Sequence, residues 1–423
     1  MRTRIVTSIG HLLRNIFKWL YGYCTLPLLR LIFRISKYKH KPLDLDCKKV
    51  IVNFTEHTNV GLGDAVIYDT IIKILKHRFP TARIFLLIEK RNRFFDVYWK
   101  KHSLVDEFFL HPPLSLRYVF HWIVFFVKFQ RARFDFSIIQ SIEPVRGLDS
   151  TWFPLDPAIT FFCRVKNIVG FYDRWDENCF YSSIVSQLGV DQLPPDTPGH
   201  HWTGPHWTDI AAEYGKALKI PETEISLVCK PHFNFQHMPL PVASESRFRI
   251  SVNPGGDKIW NRRWPLDKYV ELCIKASSEL DASIFLVGGP EEKELRDELR
   301  TKVIEQNPFA KVFVINPKTL NETANFIAQS DVFIGNDSGV THLATAIGVP
   351  IIAIYGPSNF AFWGPHKINA RNKVVSLALP CMPCEHQLNL TGIADCHLTS
   401  DKYKCLNDLG IEQVYTAVEQ QLR

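Results

Sequence analysis

The sequence predicts an α/β fold made of two Rossmann-like, doubly wound units that face each other across a cleft. Two observations lead to this prediction. Strands alternate with helices in both halves of the chain, and short polar turns follow strands where open parallel sheets bind ligands. The length of 423 residues suits two or three domains of about 100–200 residues each. With 46% hydrophobic and 22% charged residues, the composition is that of a globular protein with an ample core.

The first 45 residues are predicted to be a basic amphipathic helical segment and a linker. Residues 1–41 contain nine Lys or Arg and no Asp or Glu, whereas the rest of the chain is close to neutral. This distribution argues against a nucleic-acid-binding body. The longest uncharged run has 11 residues, Trp19 to Leu29, and a spanning helix needs about 20. No small-residue cleavage site follows that run, which argues against a signal peptide and favours a cytosolic compartment.

One helical face of this segment is apolar, with Leu12, Leu13, Ile16, Leu20 and Tyr23 on it. Basic side chains lie near the opposite side, as in helices that rest on a membrane surface. We therefore expect residues 1–40 to bind a membrane surface, with docking onto the protein's own body as the alternative.

Residues 46–225 are predicted to form the first unit. A strand from Lys48 to Phe54 precedes a loop, the dipeptide Gly63-Asp64 and a helix, and Arg83 to Ile88 forms the next strand. This β-loop-α-β order indicates a parallel sheet. Further strands are expected at Phe134–Gln140 and Asn167–Phe171. The apolar helix from Tyr118 to Phe129 belongs either to the core or to a membrane-facing surface.

Residues 226–423 are predicted to form the second unit, which repeats the alternation. Strands are expected at Arg247–Val252, Ala282–Val287, Lys311–Ile315 and Ile351–Tyr355, with a further strand ending before Asn336-Asp337-Ser338-Gly339. Helices are expected from Leu266 to Leu280 and from Leu320 to Gln329. Between them, a charged helix is expected to follow Gly289 and to end near Glu305.

Four polar turns at strand ends in this unit predict a pocket for a nucleotide diphosphate. The first contains Asn253, Gly255 and Gly256, with Lys258 and Arg262 close behind, and suits a diphosphate. The second contains Gly289 and Glu291, where a carboxylate could bind a ribose or base. In the third, Asp337 and Ser338 are both good helix caps, and the helix that they start presents free N–H groups to an anion. The fourth contains Gly356.

The motifs NPGG…KIWNRRWPLDKYVEL, FLVGGPEE and DVFIGNDSGVTHLATAIGVPIIAIYGPS resemble glycosyltransferase family 9, the heptosyltransferase-like enzymes. The resemblance extends over residues 247–420, and Gly63-Asp64 followed by a helix ending in LKHRFP resembles the family's Gly-Asp motif more loosely. It implies a GT-B fold and inverting, metal-independent transfer of a sugar, without a cofactor. ADP-heptose is the implied donor and a lipid A-core type acceptor the implied partner, at the cytoplasmic face of a bacterial inner membrane.

By this resemblance Asp64 is the catalytic base, with Glu56 as the alternative. The cations Lys258 and Arg262 and the N–H groups of Gly255, Gly256 and Gly339 would stabilise the leaving diphosphate. Asp337 would bind hydroxyls of the sugar, and Ser338 would face the phosphates. His342 either reaches the ligand or packs as a neutral helix histidine.

The C-terminal cysteines Cys381, Cys384, Cys396 and Cys405 have the spacing C-x2-C-x11-C-x8-C. This spacing leaves open a structural metal site, a disulfide or packed thiols. Two other functions also remain open, namely a nucleotide-sugar epimerase on a GT-B architecture and a non-catalytic glycan-binding relative.

Overall fold

The structure is a computed structural model. It describes residues 46–54, 61–89, 95–111, 119–139, 167–170, 206–231, 233–239, 246–256, 262–366, 369–377, 379–382, 396, 398 and 400–423. The predictions for the N-terminal segment, Glu56, Lys258 and Cys384 fall outside these residues.

The described residues divide into two compact units. The first comprises described residues of 46–54, 78–89, 103–111, 119–139 and 167–170. The second comprises residues 61–77 and 95–102 together with the described residues from 206 onward. The helix that carries Asp64 therefore groups with the second unit, although strands of the first unit flank it in the sequence. The domain boundary at residue 225 stays a prediction.

The first unit contains a parallel sheet of five strands in the order β3-β2-β1-β4-β5. Val50 of β1 lies opposite Ile84 of β2 and Phe136 of β4, and the β1 side chains Val50, Ile51 and Val52 are fully buried. The strands are β1 Lys49–Phe54, β2 Arg83–Glu89, β3 Glu107–His111, β4 Phe136–Ile139 and β5 Asn167–Gly170.

Two long helices follow strands in this part of the sequence, α1 Leu62–Arg78 and α2 Val119–Ala132. Phe125 and Phe129 of α2 pack against Phe85 of β2 and against Phe134. The sequence prediction of a helix from Tyr118 to Phe129 is confirmed within two or three residues at either end. Of the two predicted locations for this helix, the core and a membrane-facing surface, the core is confirmed for one face of the helix.

The second unit contains a parallel sheet of six strands in the order β11-β10-β9-β6-β7-β8. Counted within the unit, this is the 3-2-1-4-5-6 order of dinucleotide-binding folds, and it reverses direction between β6 and β9. The strands are β6 Phe248–Asn253, β7 Ala282–Leu286, β8 Val312–Val314, β9 Val332–Asn336, β10 Ile351–Ile354 and β11 Lys373–Val375.

Nine helices among the described residues belong to this half of the sequence. They are α3 Trp207–Ala217, α4 Glu222–Val228, α5 Leu266–Glu279, α6 Lys293–Gln306, α7 Leu320–Ala328, α8 Gly339–Ile347, α9 Phe360–Trp363, α10 Lys404–Asn407 and α11 Ile411–Leu422. The buried side chains of α5 and α11 join one apolar core with β6, β7 and β9.

The structure contains elements in three regions that were not predicted from the sequence. The first is strand β3, most of whose side chains are only half-buried or exposed. The second contains helices α3 and α4, and His206 caps α3 by accepting from the backbone N–H of Thr208. The third contains α9, β11, α10 and α11, which lie beyond the last predicted strand. No helix in the described parts of the chain is long and apolar enough to cross a membrane.

Candidate functional site

The turns after β6 and β9 lie side by side in the second unit, because these two strands are neighbours in the sheet. Asn253, the last residue of β6, lies opposite Gly335 of β9. This is the point at which the strand order reverses, and open α/β sheets bind ligands outside the carboxyl ends of their strands at such a point. Two of the four predicted turns are therefore at the position where a ligand is expected.

A buried network of amide hydrogen bonds fixes these two turns to each other. Nδ2 of Asn336 donates to the carbonyl oxygens of Pro254 (3.0 Å) and Gly255 (2.7 Å). Its Oδ1 accepts from the backbone N–H of Trp264 at 3.0 Å and from the hydroxyl of Tyr269 at 2.9 Å. Sequence reasoning did not single out Asn336, although it lies in the quoted motif.

Glu292 connects the first turn to the second, and the sequence analysis also missed it. Its buried carboxylate accepts from Nδ2 of Asn253 (3.1 Å) and from the backbone N–H groups of Gly256 (2.9 Å) and Gly289 (3.2 Å). It fills the space beside Gly255, where an added Cβ would lie 1.8 Å from Oε1. The sequence signal for such a residue is an acid in the first turn of a helix. This signal does not distinguish Glu292 from its exposed neighbour Glu291, which is the predicted ligand-binding residue.

This network gives several of the predicted donor-binding residues a structural role, and their binding role stays a prediction. The N–H of Gly256 donates to Glu292, so in this structure it is not directed at a phosphate. The side chain of Asn253 also bonds the carbonyl of Val287 and accepts from Ser338, and thus joins turns together. Gly356 packs against Leu406, whose Cγ would lie 2.6 Å from an added Cβ. Packing is sufficient to explain glycine there.

The third turn starts helix α8, and only one of its two predicted caps acts as the cap. Ser338 is the N-cap residue, and its side chain accepts from the backbone N–H of Thr341. Asp337 is buried, and its Oδ2 lies 3.0 Å from Nη1 of Arg262 as an ion pair, without an aligned hydrogen bond. The structure therefore brings together Asp337 and Arg262, which the sequence placed on separate turns.

The N-terminus of α1 lies against the N-terminus of α8. An added Cβ on Gly63 would lie 2.7 Å from Cδ2 of His342, and one on Gly339 would lie 2.8 Å from Cβ of Leu62. Glycine at Gly63 leaves room for the His342 ring, and glycine at Gly339 leaves room for Leu62 and the backbone N of Gly63. The Gly-Asp dipeptide thus contacts the turn that the sequence analysis assigned to the donor. Two positive helix ends meet here beside Arg262, which favours an anion.

Asp64 has a structural role that coexists with the predicted catalytic one. It is half-buried in the first turn of α1, and its Oδ2 accepts from the backbone N–H of Gly61 at 2.6 Å. This bond satisfies one of the unpaired donors at the start of the helix. It also holds the carboxylate beside the N-terminus of α8.

His342 is a buried histidine between these carboxylates. Burial lowers the pKa of its imidazole, while the nearby carboxylates of Asp337 and Asp64 oppose that shift. The neutral form therefore dominates at pH 7. Its Nδ1 is buried and makes no hydrogen bond with the described residues. An unpaired buried nitrogen is costly, and a ligand atom would satisfy it.

A stripe of polar side chains fastens α1 to other parts of the second unit. Asp69, Lys73 and His77 follow each other at intervals of four residues and share one face of the helix. Oδ1 of Asp69 lies 2.5 Å from Nε2 of His102, and both side chains are almost fully buried. Lys73 donates to the carbonyl of Lys230, and His77 pairs with Glu224 at 2.8 Å. These contacts hold Gly63 and Asp64 in place.

The C-terminal cysteines are only partly described. Burial raises the pKa of the Cys405 thiol to about 11, and the thiols of Cys381 and Cys396 add to that shift. No group of three His, Cys, Asp or Glu side chains in the described residues is arranged to hold a metal. A four-cysteine site would depend on Cys384, so it stays a prediction.

The two sheets and their order define a GT-B fold, and the comparisons with known proteins agree. The glycosyltransferase family 9 protein of Veillonella parvula is 20% identical, with a TM-score of 0.59 over 90% of this chain and 98% of that one. The ADP-heptose lipopolysaccharide heptosyltransferase II of Escherichia coli is 16% identical, with a TM-score of 0.54 over 89% of this chain and 98% of that one. At these identities the likeness shows the fold.

The sequence comparisons agree with the resemblance. Residues 206–393, which are less than half of the chain, match the model of glycosyltransferase family 9 (heptosyltransferase). Lipooligosaccharide heptosyltransferase 2 of Campylobacter jejuni is 30% identical over 203 residues, which are 46% of this chain and 60% of that protein. The match thus spans less than two thirds of the relative's length. The resemblance stated from the sequence motifs is confirmed.

Proposed function

We propose that the protein is an inverting glycosyltransferase that moves a sugar from a nucleotide diphosphate onto a lipopolysaccharide core or related surface-glycan acceptor. The observation that carries this proposal is the meeting of two helix N-termini and Arg262 beside the carboxylates of Asp64 and Asp337. Positive helix ends and a guanidinium suit a diphosphate, and a carboxylate beside them suits a base.

The donor is proposed to be ADP-heptose and the acceptor a lipid A-core type glycan. The name of the Escherichia coli neighbour includes ADP-heptose and lipopolysaccharide, and the Campylobacter relative is named as a heptosyltransferase. The acceptor class would place the protein at the cytoplasmic face of a bacterial inner membrane, with residues 1–40 as one proposed contact with that surface.

In the proposed reaction the Asp64 carboxylate takes the proton of an acceptor hydroxyl as its oxygen attacks the anomeric carbon. The bond from that carbon to the diphosphate oxygen breaks on the opposite face, and the electron pair leaves with the diphosphate. Arg262 and the N–H groups that begin α8 would stabilise the charge that develops there. This arrangement of charges lets transfer proceed without a metal.

Asp337 and His342 are proposed to orient the donor. The Asp337 carboxylate already has Arg262 on one side, so a sugar hydroxyl would complete its hydrogen bonds. His342 is neutral at pH 7, and its Nδ1 could accept from a hydroxyl or donate to a phosphate oxygen, depending on the tautomer. The burial of His342 away from water would strengthen either bond.

The test is transfer from ADP-heptose to truncated lipid A-core acceptors by the full chain and by Asp64→Asn. Loss of a general base costs about 10²–10⁴-fold in rate, and the KM for the donor should change little. Asp267→Asn is the matched control, because Asp267 is also an acid in the first turn of a helix but is highly exposed.

Equal rates for Asp64→Asn and Asp267→Asn would exclude Asp64 as the base. Epimerised nucleotide sugar formed without acceptor would replace the proposal with the epimerase alternative. ADP-heptose binding without turnover on any acceptor would favour a non-catalytic relative.

A further inference from the structure

Helix α2 of the first unit presents an apolar stripe to solvent. Phe120 is 81% exposed, Ile123 and Val124 are each 54% exposed and Val127 is 42% exposed. Their spacing of three and four residues places all four on one face of the helix. A contiguous exposed apolar patch of this kind marks an interaction surface more often than a chance exposure.

The stripe is not needed to hold the helix in place. The opposite face supplies Phe125 and Phe129, which are 5% and 1% exposed and pack with Ile51, Phe85 and Leu87. A surface helix with one buried face normally carries polar residues on its other face. Here both faces are apolar, so the outer one has a purpose other than folding of the described core.

Basic side chains extend the stripe at its C-terminal end. Lys128 lies one helical turn after Val124, and Arg131 lies one turn after Val127, so both continue the exposed face. Residues 119–134 contain no Asp or Glu. The next acid, Asp135, accepts from the backbone N–H groups of Lys48 and Lys49. The surface is therefore apolar with a cationic border.

We propose that this face of α2 binds a membrane surface rich in anionic lipids. Phe120, Ile123, Val124 and Val127 would insert among the acyl chains near the headgroups, as interfacial helices do. Lys128 and Arg131 would lie at the level of the lipid phosphates. This contact is separate from residues 1–40, and it does not depend on the transfer reaction.

Charge argues against two other possible occupants of this face, the chain's own N-terminal segment and a second copy of the protein. The chain's own N-terminal segment has nine basic residues and no acid in residues 1–41, so it would place like charges beside Lys128 and Arg131. A second copy packed in parallel through α2 would bring the same cations together, and one packed antiparallel would place them beside the partner's Phe120 end, where residues 119–134 offer no acid. An anionic lipid surface is both apolar and complementary in charge.

The test measures binding of the full chain to vesicles of phosphatidylglycerol and phosphatidylethanolamine, and to vesicles of phosphatidylcholine. Phe120→Ser/Val124→Ser should weaken binding to the anionic vesicles at least about tenfold, since burying each side chain is strongly favourable. Lys128→Gln/Arg131→Gln should weaken it about thirtyfold, because each basic residue near an anionic surface contributes about fivefold. Phe309→Ser is the control, because Phe309 is 91% exposed on the second unit.

Amide hydrogen exchange locates the contact on the same samples. Anionic vesicles should slow exchange in residues 119–132, and both double variants should keep the wild-type melting temperature because the altered side chains are exposed. Vesicle binding of the double variants equal to that of Phe309→Ser would overturn the proposal. Protection of α2 that appears without vesicles as protein concentration rises would assign the face to a second copy instead.

Discussion

Replacing Gly63 with Ala tests whether the approach of α1 to α8 builds the site. The added Cβ would lie 2.7 Å from Cδ2 of His342, a separation too short for carbon atoms in contact. His342 is 5% exposed, so its ring has little room to move. The helices must therefore move apart by several tenths of an ångström, and Asp64 would move with α1.

The expected effect on stability is modest and the effect on activity is large. Overpacking costs about 1–3 kcal/mol, and Ala in place of Gly in a helix returns about 0.5–1 kcal/mol, which leaves a net loss of about 0–2.5 kcal/mol. A misplacement near 1 Å costs about 100-fold in rate when the reacting groups must be aligned, so a shift of several tenths of an ångström should lower the transfer rate by up to about that factor. The transfer rate should therefore fall even where the folded state keeps most of its stability.

Urea denaturation and transfer kinetics on four proteins would measure both effects. These are the wild type, Gly63→Ala, His342→Ala and the double variant. Because His342→Ala removes the ring that clashes, Gly63→Ala should stabilise the His342→Ala background as an ordinary helical substitution. Gly410→Ala is the control, since an added Cβ there has only an ordinary contact with Gln413. If Gly63→Ala stabilises the wild type and leaves transfer unchanged, the inferred contact between the helices is wrong.

Three further predictions concern buried charge. Glu292→Ala should lower the free energy of unfolding, measured by urea titration, by at least about 3 kcal/mol because three donors lose their acceptor. The control is Glu291→Ala at the exposed neighbouring position, which should change the free energy of unfolding by less than about 0.5 kcal/mol. Asp69→Ala should cost about 1–3 kcal/mol by removing the buried oxygen beside Nε2 of His102, and His77→Gln, which breaks a solvent-exposed pair on the same helix, should cost less than about 1 kcal/mol. Equal losses would exclude the buried pair as the main anchor of α1. Burial lowers the pKa of His366 from 6.5 to about 4, so the unfolded chain binds a proton that the folded chain does not, and about 3 kcal/mol of stability should be lost as pH falls from 6.5 to 4. His366→Gln should reduce that loss in denaturation curves at the two pH values, and an unchanged pH dependence would contradict the assignment.

Five of the six strands of the second unit, and the turns that follow them, could be predicted because local patterns determine them. Continuous apolar runs such as Ile351–Ile354 are buried in a parallel sheet, and glycine with small polar residues marks the turn after each one. The predicted strand ends agree with the structure within about two residues. The strand order places the turns after β6 and β9 together, and that neighbourhood was expected from the family resemblance and from the rule for parallel sheets.

The contacts that connect the turns could not be predicted, because they depend on which side chain turns inward. Glu291 and Glu292 are adjacent and chemically identical, yet Glu291 is exposed and Glu292 accepts three hydrogen bonds that join two turns. Periodicity does not distinguish them in a 3₁₀ turn that precedes a helix. Likewise, Asp337 and Ser338 both qualify as caps by residue type. Only the position of Arg262 shows that Asp337 is used as an ion-pair partner instead.

The grouping of α1 with the second unit has a consequence for dividing this protein into pieces. A fragment that begins near residue 206 would contain the six-stranded sheet but would lack the helix that covers Gly339 and His342. Such a fragment would expose those two residues and would carry no Gly-Asp dipeptide. Exchange of halves between relatives would therefore need a coordinated change in α1, because this helix and α8 meet at glycines where an added Cβ would lie less than 3.0 Å from its neighbours.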